Sequence, residues 1–259
     1  MIDVHCHLEQ EDYSKDRDEV IEKCKKELKA IITSCSHPKD FDLTMQVIEK
    51  YKNFVFASFG IHPEYMKEIS GKEIDNFIEL IKNNKEKVIA VGETGLDYWW
   101  EKEVNLQMKQ KELFLQLIEL SKEIKKPLVI HCRDAFEDTI RILEKEDAKE
   151  VNMHMFGKHN LAVRIIENGW YASMNTIILR SKSYGKVIRD CPLERLMLET
   201  DAPWLAPKQL IDGVKSRNEP TSIKLVAEKI AEIKKLDFNE VWRKCGKNAV
   251  KFFRLPIVV

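Results

Sequence analysis

The sequence predicts an α/β fold, a single-domain (β/α)8 TIM barrel over residues 1–259. Short apolar runs alternate with helical or connecting segments, a pattern that indicates parallel strands joined by helical crossovers. A barrel of this kind has about 250 residues, which is close to the length of this chain. Ligand-type residues follow the first, fourth, fifth, sixth and eighth runs. Only a ring of strands brings those ends together, because an open sheet gathers its site at one switch point.

Eight runs are short and apolar enough to be strands. They cover residues 1–7, 30–34, 54–59, 88–91, 127–130, 151–154, 170–174 and 195–201. Segments with apolar residues at three- and four-residue steps lie between them and are interpreted as amphipathic helices. These helices are expected at residues 14–28, 41–51, 73–83, 106–125, 135–146 and 161–168. Two more, at 222–236 and 237–253, are expected to close the barrel, with Asp237 capping the second.

The composition favours one soluble domain, with 44% hydrophobic and 33% charged residues and no linker-like stretch. The apolar runs are strand-sized and the amino terminus has no signal-type stretch, so we expect a cytoplasmic protein without a membrane span. The six cysteines include no CxxC spacing and are interpreted as reduced thiols. Basic and acidic residues number 43 each, and this zero net charge argues against a broad basic surface for duplex DNA.

The first run ends in His5-Cys6-His7, a pair of histidines two positions apart. Side chains alternate across a strand, so both imidazoles point to one side and are able to chelate one divalent ion. Cys6 points to the other side, which disfavours a thiolate ligand. A structural pair of hydrogen-bonded histidines is the alternative, so the other ligands must be found elsewhere in the chain.

The other strand ends supply them, and together they offer six ligand-type side chains: His5, His7, Glu93, His131, His154 and Asp201. This set exceeds one tetrahedral structural site, and it favours a hydrolytic centre with two metal ions. One ion is expected on the first histidine pair with Asp201, and the second on His131 and His154. Glu93 is expected to bridge the ions with its two oxygens, and Asp201 to take the proton of the attacking water.

Five further strings extend the pattern: Gly60-Ile61-His62-Pro63, Gly92-Glu93-Thr94-Gly95-Leu96-Asp97, Ile130-His131-Cys132-Arg133-Asp134-Ala135, Leu198-Glu199-Thr200-Asp201-Ala202-Pro203 and Arg217-Asn218-Glu219-Pro220. With the histidine pair, they resemble the TatD family of metal-dependent deoxyribonucleases in the amidohydrolase superfamily. The resemblance covers the chain to about residue 220. It implies a barrel nuclease that hydrolyses DNA phosphodiester bonds, often as an exonuclease. The cofactors it implies are two divalent ions, magnesium or manganese for activity, with zinc also able to occupy the site.

Carried over residue by residue, the resemblance makes the same six side chains the metal ligands. It also makes His62 a residue that contacts the scissile phosphate. Arg133 either clamps a phosphate or pairs with Asp134 or Asp138. We expect single-stranded or frayed DNA ends as substrate, since the net charge is zero, and infer no obligate protein partner.

The loop after the sixth strand departs from the family. Many members carry His-Cys-Phe-Ser/Thr-Gly there, whereas this chain has His154-Met155-Phe156-Gly157-Lys158. A hydroxyl that would touch substrate is therefore missing, and Lys158 or His159 is a candidate to compensate. Three tryptophans beside the predicted mouth, Trp99, Trp100 and Trp204, either stack on bases or pack against the barrel rim.

Two other functions are compatible with this ligand set. A related metallohydrolase would use the same barrel and ligand set to hydrolyse a small ester, amide or phosphoester. Relatives with a carbamylated lysine bridge need a lysine where Glu93 stands, and this favours phosphoester chemistry. A metal-stabilised scaffold without activity would have lost a ligand or the Asp201 base, and the sequence retains both.

Overall fold

The computed structural model describes residues 1–208, 210–211 and 214–259, with the side chains of 210, 211, 214 and 215 outside the description. Eight parallel strands, β1 to β8, lie side by side in chain order. They are Ile2–Cys6, Ala30–Cys35, Val55–Phe59, Val88–Asp97, Leu128–Arg133, Val151–Met153, Tyr171–Met174 and Leu196–Leu198. The residues after β8 return beside β1, where the His7 N–H donates to the Ala202 carbonyl at 2.7 Å and the Asp201 N–H to the His5 carbonyl at 2.9 Å. The sheet thus curves into a nearly closed barrel, and the predicted TIM barrel is confirmed.

Helices α1 to α7 connect the strands, and α8 and α9 follow β8. They are Arg17–Lys25, Phe41–Lys50, Gly71–Asn83, Val104–Ile124, Phe136–Lys145, Ala162–Glu167, Lys182–Asp190, Ile223–Lys234 and Phe238–Phe253. Helix α7 was not predicted, because only Val187 and Ile188 of its residues are buried and the apolar pattern is short. A two-stranded hairpin, β9 at Leu210–Ile211 and β10 at Val214–Lys215, was also missed. None of the described helices is both long and apolar enough to cross a membrane.

Strand β4 continues well past its predicted end at residue 91. Its pairing with β5 is irregular between Val91 and Thr94, and Gly92 and Gly95 have φ angles of 148° and 145°. A Cβ at either glycine would collide with the β5 backbone, so only glycine lets the two strands approach so closely here. The extension carries Glu93 and Asp97 to the carboxyl end of the barrel, where TIM-barrel sites lie.

The opposite end of the barrel is closed by α9. Phe252 and Phe253 pack with Ile2, Ala30 and other side chains from the amino ends of the strands. Asp237 accepts the Asn239 N–H at 2.8 Å and so caps α9 as predicted. The C-terminal helices therefore have the closing role that the sequence suggested, and the carboxyl end remains open for the site.

Candidate metal centre

His5 and His7 face each other at the carboxyl end of β1. Their Nε2 atoms lie 3.1 Å apart, and both rings are buried. Cys6 lies between them and turns away, with its Sγ 3.6 Å from the Ile32 carbonyl. The strand alternation that the sequence predicted is therefore observed, and two ring nitrogens converge on one point.

Glu93 lies at the centre of the cluster, and its two oxygens face different histidines. Oε2 is 3.2 Å from His5 Nε2 and 3.8 Å from His7 Nε2. Oε1 is 2.9 Å from His131 Nδ1 and 3.7 Å from His62 Nε2. One carboxylate thus connects the histidine pair at the end of β1 with His62, after β3, and His131, in β5.

Asp201 and His154 complete the cluster. Asp201 Oδ1 lies 3.7 Å from His5 Nε2 and 3.5 Å from His7 Nε2. His154 Nε2 lies between the two halves of the cluster, 4.0 Å from Asp201 Oδ1 and 3.8 Å from Glu93 Oε1. All six predicted ligand residues are therefore brought together.

Among the described residues, three groups of side chains have the spacing of a metal site, and one of them includes His62 beside the predicted ligands. Within each, the candidate ligand atoms lie within 4.8 Å of one another; the groups are His5, His7 and Glu93; His5, His154 and Asp201; and His62, Glu93 and His131. Imidazole nitrogens and carboxylate oxygens are ligands for divalent ions of the zinc and manganese type. The donor set therefore fits bound divalent metal.

Three carboxylates lie behind the histidines, and two of them, those of Asp97 and Glu9, are hydrogen-bonded to a ring nitrogen. Asp97 Oδ2 lies 3.0 Å from His131 Nε2, and Glu199 Oε1 lies 2.9 Å from His154 Nδ1. Glu9 Oε1 is 3.0 Å from His7 Nδ1, and the Ser34 carbonyl is also 3.0 Å away. A carboxylate behind a ligating histidine holds the proton on the distal nitrogen and leaves the other nitrogen free to bind metal.

Sequence reasoning missed these three carboxylates as functional residues. The sequence carried a signal in their proximity to predicted ligands, because Glu9 lies two positions after His7 and Glu199 two before Asp201. Asp97 closes the Gly-Glu-Thr-Gly-Leu-Asp string.

His62 has the opposite arrangement. Its Nδ1 accepts the backbone N–H of Glu64 at 3.2 Å, so the neutral ring carries its proton on Nε2. That Nε2 points toward Glu93 Oε1 at 3.7 Å. Burial, helped by the charge of His131, lowers the pKa of His62 to about 3, which keeps the ring neutral. His62 therefore presents a hydrogen-bond donor to the site, unlike the other histidines with a carboxylate behind them.

The cluster is electrostatically coupled. Burial opposes charge on Glu93, but the surrounding histidines, His5 and His154 among them, outweigh it and hold the pKa of Glu93 well below its usual value. Burial also opposes the charge on His131, yet hydrogen bonds to Asp97 and Glu93 raise its pKa to about 9. Burial likewise opposes the charge on His154, but the nearby carboxylates of Glu199 and Glu93 raise its pKa to about 10. In the metal-free protein, protons therefore occupy nitrogens that a metal ion would need.

A cavity of about 700 Å³ opens above the cluster. Arg133 lines it, with its guanidinium carbon 4.9 Å from the Trp99 ring and 5.5 Å from the Trp100 ring. Asp138 is engaged by Tyr98, Lys111 and Arg141 instead, so its pairing with Arg133 is not observed. Arg133 thus lines the cavity, and cation–π contacts with two indoles hold its guanidinium there.

The loop that departs from the family also reaches this cavity. Lys158 lines it, whereas His159 turns away and its Nε2 lies 2.5 Å from Asp190 Oδ2. Of the two candidates to replace the missing hydroxyl, only Lys158 is therefore placed beside the substrate space. Cys132 also borders the cavity, but its Sγ lies 3.2 Å from Thr139 Oγ1.

A barrel whose mouth gathers histidines and carboxylates around a cavity defines a class of protein, the metal-dependent hydrolases. Comparison with known proteins gives the family: the model described as TatD related DNase matches residues 2–254. The chain belongs to this family, as the resemblance in its motifs predicted, and it is therefore an enzyme, a metal-dependent hydrolase.

Individual relatives agree with this assignment. The chain is 33% identical to human deoxyribonuclease TATDN3, over 98% of this chain and 94% of that protein. It is 37% identical to the metal-dependent hydrolase MJ1582 of Methanocaldococcus jannaschii, over 98% and 96%. The crystal structure of YJJV, a TatD homologue from Escherichia coli, has a TM-score of 0.89 at 24% identity, covering 99% of this chain and 98% of that chain. The last comparison supports the fold.

Proposed function

We propose that this protein is a deoxyribonuclease that hydrolyses DNA phosphodiester bonds from an end, as an exonuclease, with two divalent metal ions. The family description and the name of the human relative favour DNA as substrate. The observation that carries the two-ion proposal is the position of Glu93, with one oxygen 3.2 Å from His5 Nε2 and the other 2.9 Å from His131 Nδ1. A carboxylate in this position is suited to bridging two ions. Magnesium or manganese is proposed for activity, with zinc also able to occupy the site.

In this proposal one ion would be held by His5, His7 and Asp201, and the other by His131 and His154. Glu93 would contribute to both. Two bound divalent ions would activate the attacking water and offset the charge of the phosphate. Asp201 accepts the proton of that water. Although burial disfavours its charge, hydrogen bonding to His7 and the nearby histidines hold the pKa of Asp201 below its usual value, so the carboxylate is ionised and able to act as a base.

The substrate phosphate is proposed to meet two donors of the chain. The Nε2–H of His62 faces the cluster beside Glu93, and neutral imidazole donates a hydrogen bond without carrying charge. Arg133 lines the cavity, and its planar guanidinium is suited to a phosphate. These contacts would position the phosphorus in line with the water that Asp201 deprotonates.

The size of the cavity and the charge of the chain favour a strand end over a long duplex. A volume of about 700 Å³ suits a small ligand or a few nucleotide units, and the net charge is zero. Duplex binders usually carry a basic face that tracks many phosphates. We therefore propose single-stranded or frayed ends as the preferred substrate.

The first test is digestion of end-labelled single-stranded and duplex DNA by metal-stripped protein that is resupplied with magnesium, manganese or zinc. Metal-dependent cleavage that disappears in Asp201→Asn is expected, with a ladder that shortens from one end. Asp134→Asn is a matched control, because Asp134 also lines the cavity and has a φ of 53°, close to the 57° of Asp201. Equal loss in both variants, or cleavage with no metal added back, would contradict the proposal. Lack of cleavage with every metal would point to a different ester or amide substrate.

A further inference from the structure

Three tryptophans of this chain are exposed, and all three lie at the mouth of the barrel. Trp100 is 62% exposed, Trp99 51% and Trp204 40%. Trp170, in contrast, is buried and donates its Nε1–H to the Ala148 carbonyl at 2.8 Å. Large aromatic side chains usually serve burial, so an exposed group of indoles beside a catalytic cavity indicates a binding surface.

The backbone N–H groups of two of these tryptophans are hydrogen-bonded to residues of the candidate metal centre. The Trp100 N–H donates to Asp97 Oδ1 at 2.9 Å, and the other oxygen of Asp97 is 3.0 Å from His131 Nε2. The Trp204 N–H donates to the Asp201 carbonyl at 2.9 Å, and its ring centroid is 4.6 Å from that of His7. The backbone positions of both tryptophans are therefore fixed relative to the candidate metal centre.

The two indoles flank the cavity from opposite sides. Trp100 follows β4 and Trp204 follows β8, and these strands are four places apart in a ring of eight. Strand spacing and tilt in such a barrel put opposite strands about 15 Å apart. Trp100 and Trp204 both line the cavity, whereas Trp99 is not among its lining residues. The scissile phosphate would thus lie between two aromatic surfaces.

We propose that Trp100 and Trp204 each stack on one base, one on either side of the scissile phosphate. This inference rests on the proposed nuclease function and adds how the strand is bound. The site therefore takes a single strand, whose bases are free to contact the indoles, and it tolerates any sequence because every base has a π-face.

The test is calorimetric binding of the tetranucleotide of deoxythymidine, with magnesium, to the Asp201→Asn protein. Adding Trp100→Ala or Trp204→Ala is expected to weaken binding by about 5- to 150-fold, the usual effect of losing one stacked base. Trp99→Phe is the control: it removes the indole that does not line the cavity but keeps a ring beside Arg133, and it is expected to change affinity less than about two-fold. Trp100→Phe and Trp204→Phe are expected to recover most of the affinity, because a phenyl ring still stacks.

A second set of ligands separates stacking from a folding defect. Replacing one central base by a baseless sugar should weaken binding to the parent protein. When the missing base is the one that stacks on a given indole, the alanine variant of that indole should bind this ligand as tightly as the parent does. The proposal is overturned if both alanine variants bind as the parent does, or if their losses are the same with and without each base. Wild-type protein that cleaves no DNA would overturn the proposed function and this inference with it. Wild-type cleavage with unaffected tryptophan variants would overturn this inference alone.

Discussion

Replacing Asp97 by asparagine is expected to impair the second metal site without removing any of its ligands. Asp97 Oδ2 lies 3.0 Å from His131 Nε2, and Oδ1 accepts the N–H groups of Trp99 and Trp100 at 2.8 and 2.9 Å. Asparagine keeps one oxygen for the two backbone donors and turns its NH2 toward the imidazole. The ring must then carry its proton on Nδ1, which faces Glu93 and the metal position.

The size of the effect follows from the number of acceptors behind each ring. Loss of a carboxylate behind a ligating histidine typically costs 10- to 100-fold in metal affinity, or about 1.4–2.7 kcal/mol. His131 Nε2 has Asp97 as its acceptor, so the full cost is expected there. His7 Nδ1 has both Glu9 and the Ser34 carbonyl at 3.0 Å. Glu9→Gln is therefore the matched control, with an expected loss of less than about three-fold because the carbonyl still holds the proton.

The assay is a calorimetric titration of metal-stripped protein with manganese or zinc, which gives the affinity and the number of bound ions. Wild type is expected to bind two ions, and Asp97→Asn is expected to bind one with near-normal affinity and the second more weakly. If Asp97→Asn binds both ions as wild type does, the assignment of His131 Nδ1 as a ligand atom is wrong. If Glu9→Gln loses as much as Asp97→Asn, counting acceptors does not explain the effect.

Three further predictions concern the cluster. Glu93→Ala is expected to abolish hydrolysis and to lower the bound-metal stoichiometry, because it removes both bridging oxygens; retention of a near wild-type rate at saturating metal would contradict the bridge. His62→Ala is expected to raise KM while metal content, measured by elemental analysis, stays unchanged, since its Nε2 carries a proton; loss of metal would mean that His62 is a ligand. The metal-free protein is expected to lose thermal stability at high pH. The pKa values of His131 and His154 are raised from 6.5 to about 9 and about 10, so their contribution is complete below pH 6.5 and is lost as pH rises through those values. Melting curves between pH 6 and pH 10 test this, and a constant Tm would refute it.

The positions of the six candidate ligands could be predicted because they depend on two regular properties of the backbone. Strand alternation puts His5 and His7 on one side, and ring closure brings the ends of distant strands together. Neither property requires knowledge of side-chain packing. The extent of β4 could not be predicted in the same way, since it depends on a close approach of two strands that only Gly92 and Gly95 permit.

Choices between two nearby partners were also beyond the sequence. Arg133 had carboxylates at positions 134 and 138 as well as substrate to contact, and its place over Trp99 and Trp100 is decided by tertiary structure. The proton position on His62 likewise depends on the backbone N–H of Glu64, which approaches its Nδ1 only because the chain turns into a short 3-10 helix after Pro63. Sequence identifies which side chains reach the mouth, whereas local geometry determines which atom each presents.

The zero net charge of the chain is compatible with an anionic substrate because opposite charges cancel on the outer helices. Lys82 pairs with Glu123 at 2.8 Å and Lys122 with Glu146 at 3.1 Å, so these helical surfaces offer little attraction to a phosphate chain. Arg133 and Lys158 instead line the cavity, beside the histidines and carboxylates of the candidate metal centre. Positive charge is therefore available at the cavity, where the proposed substrate phosphate would bind, and a long-range surface field, which salt would screen, is not required. If the proposed function is correct and electrostatic attraction is confined to one phosphate, the remaining affinity for a strand would come from its bases, and this is the contribution proposed above for Trp100 and Trp204.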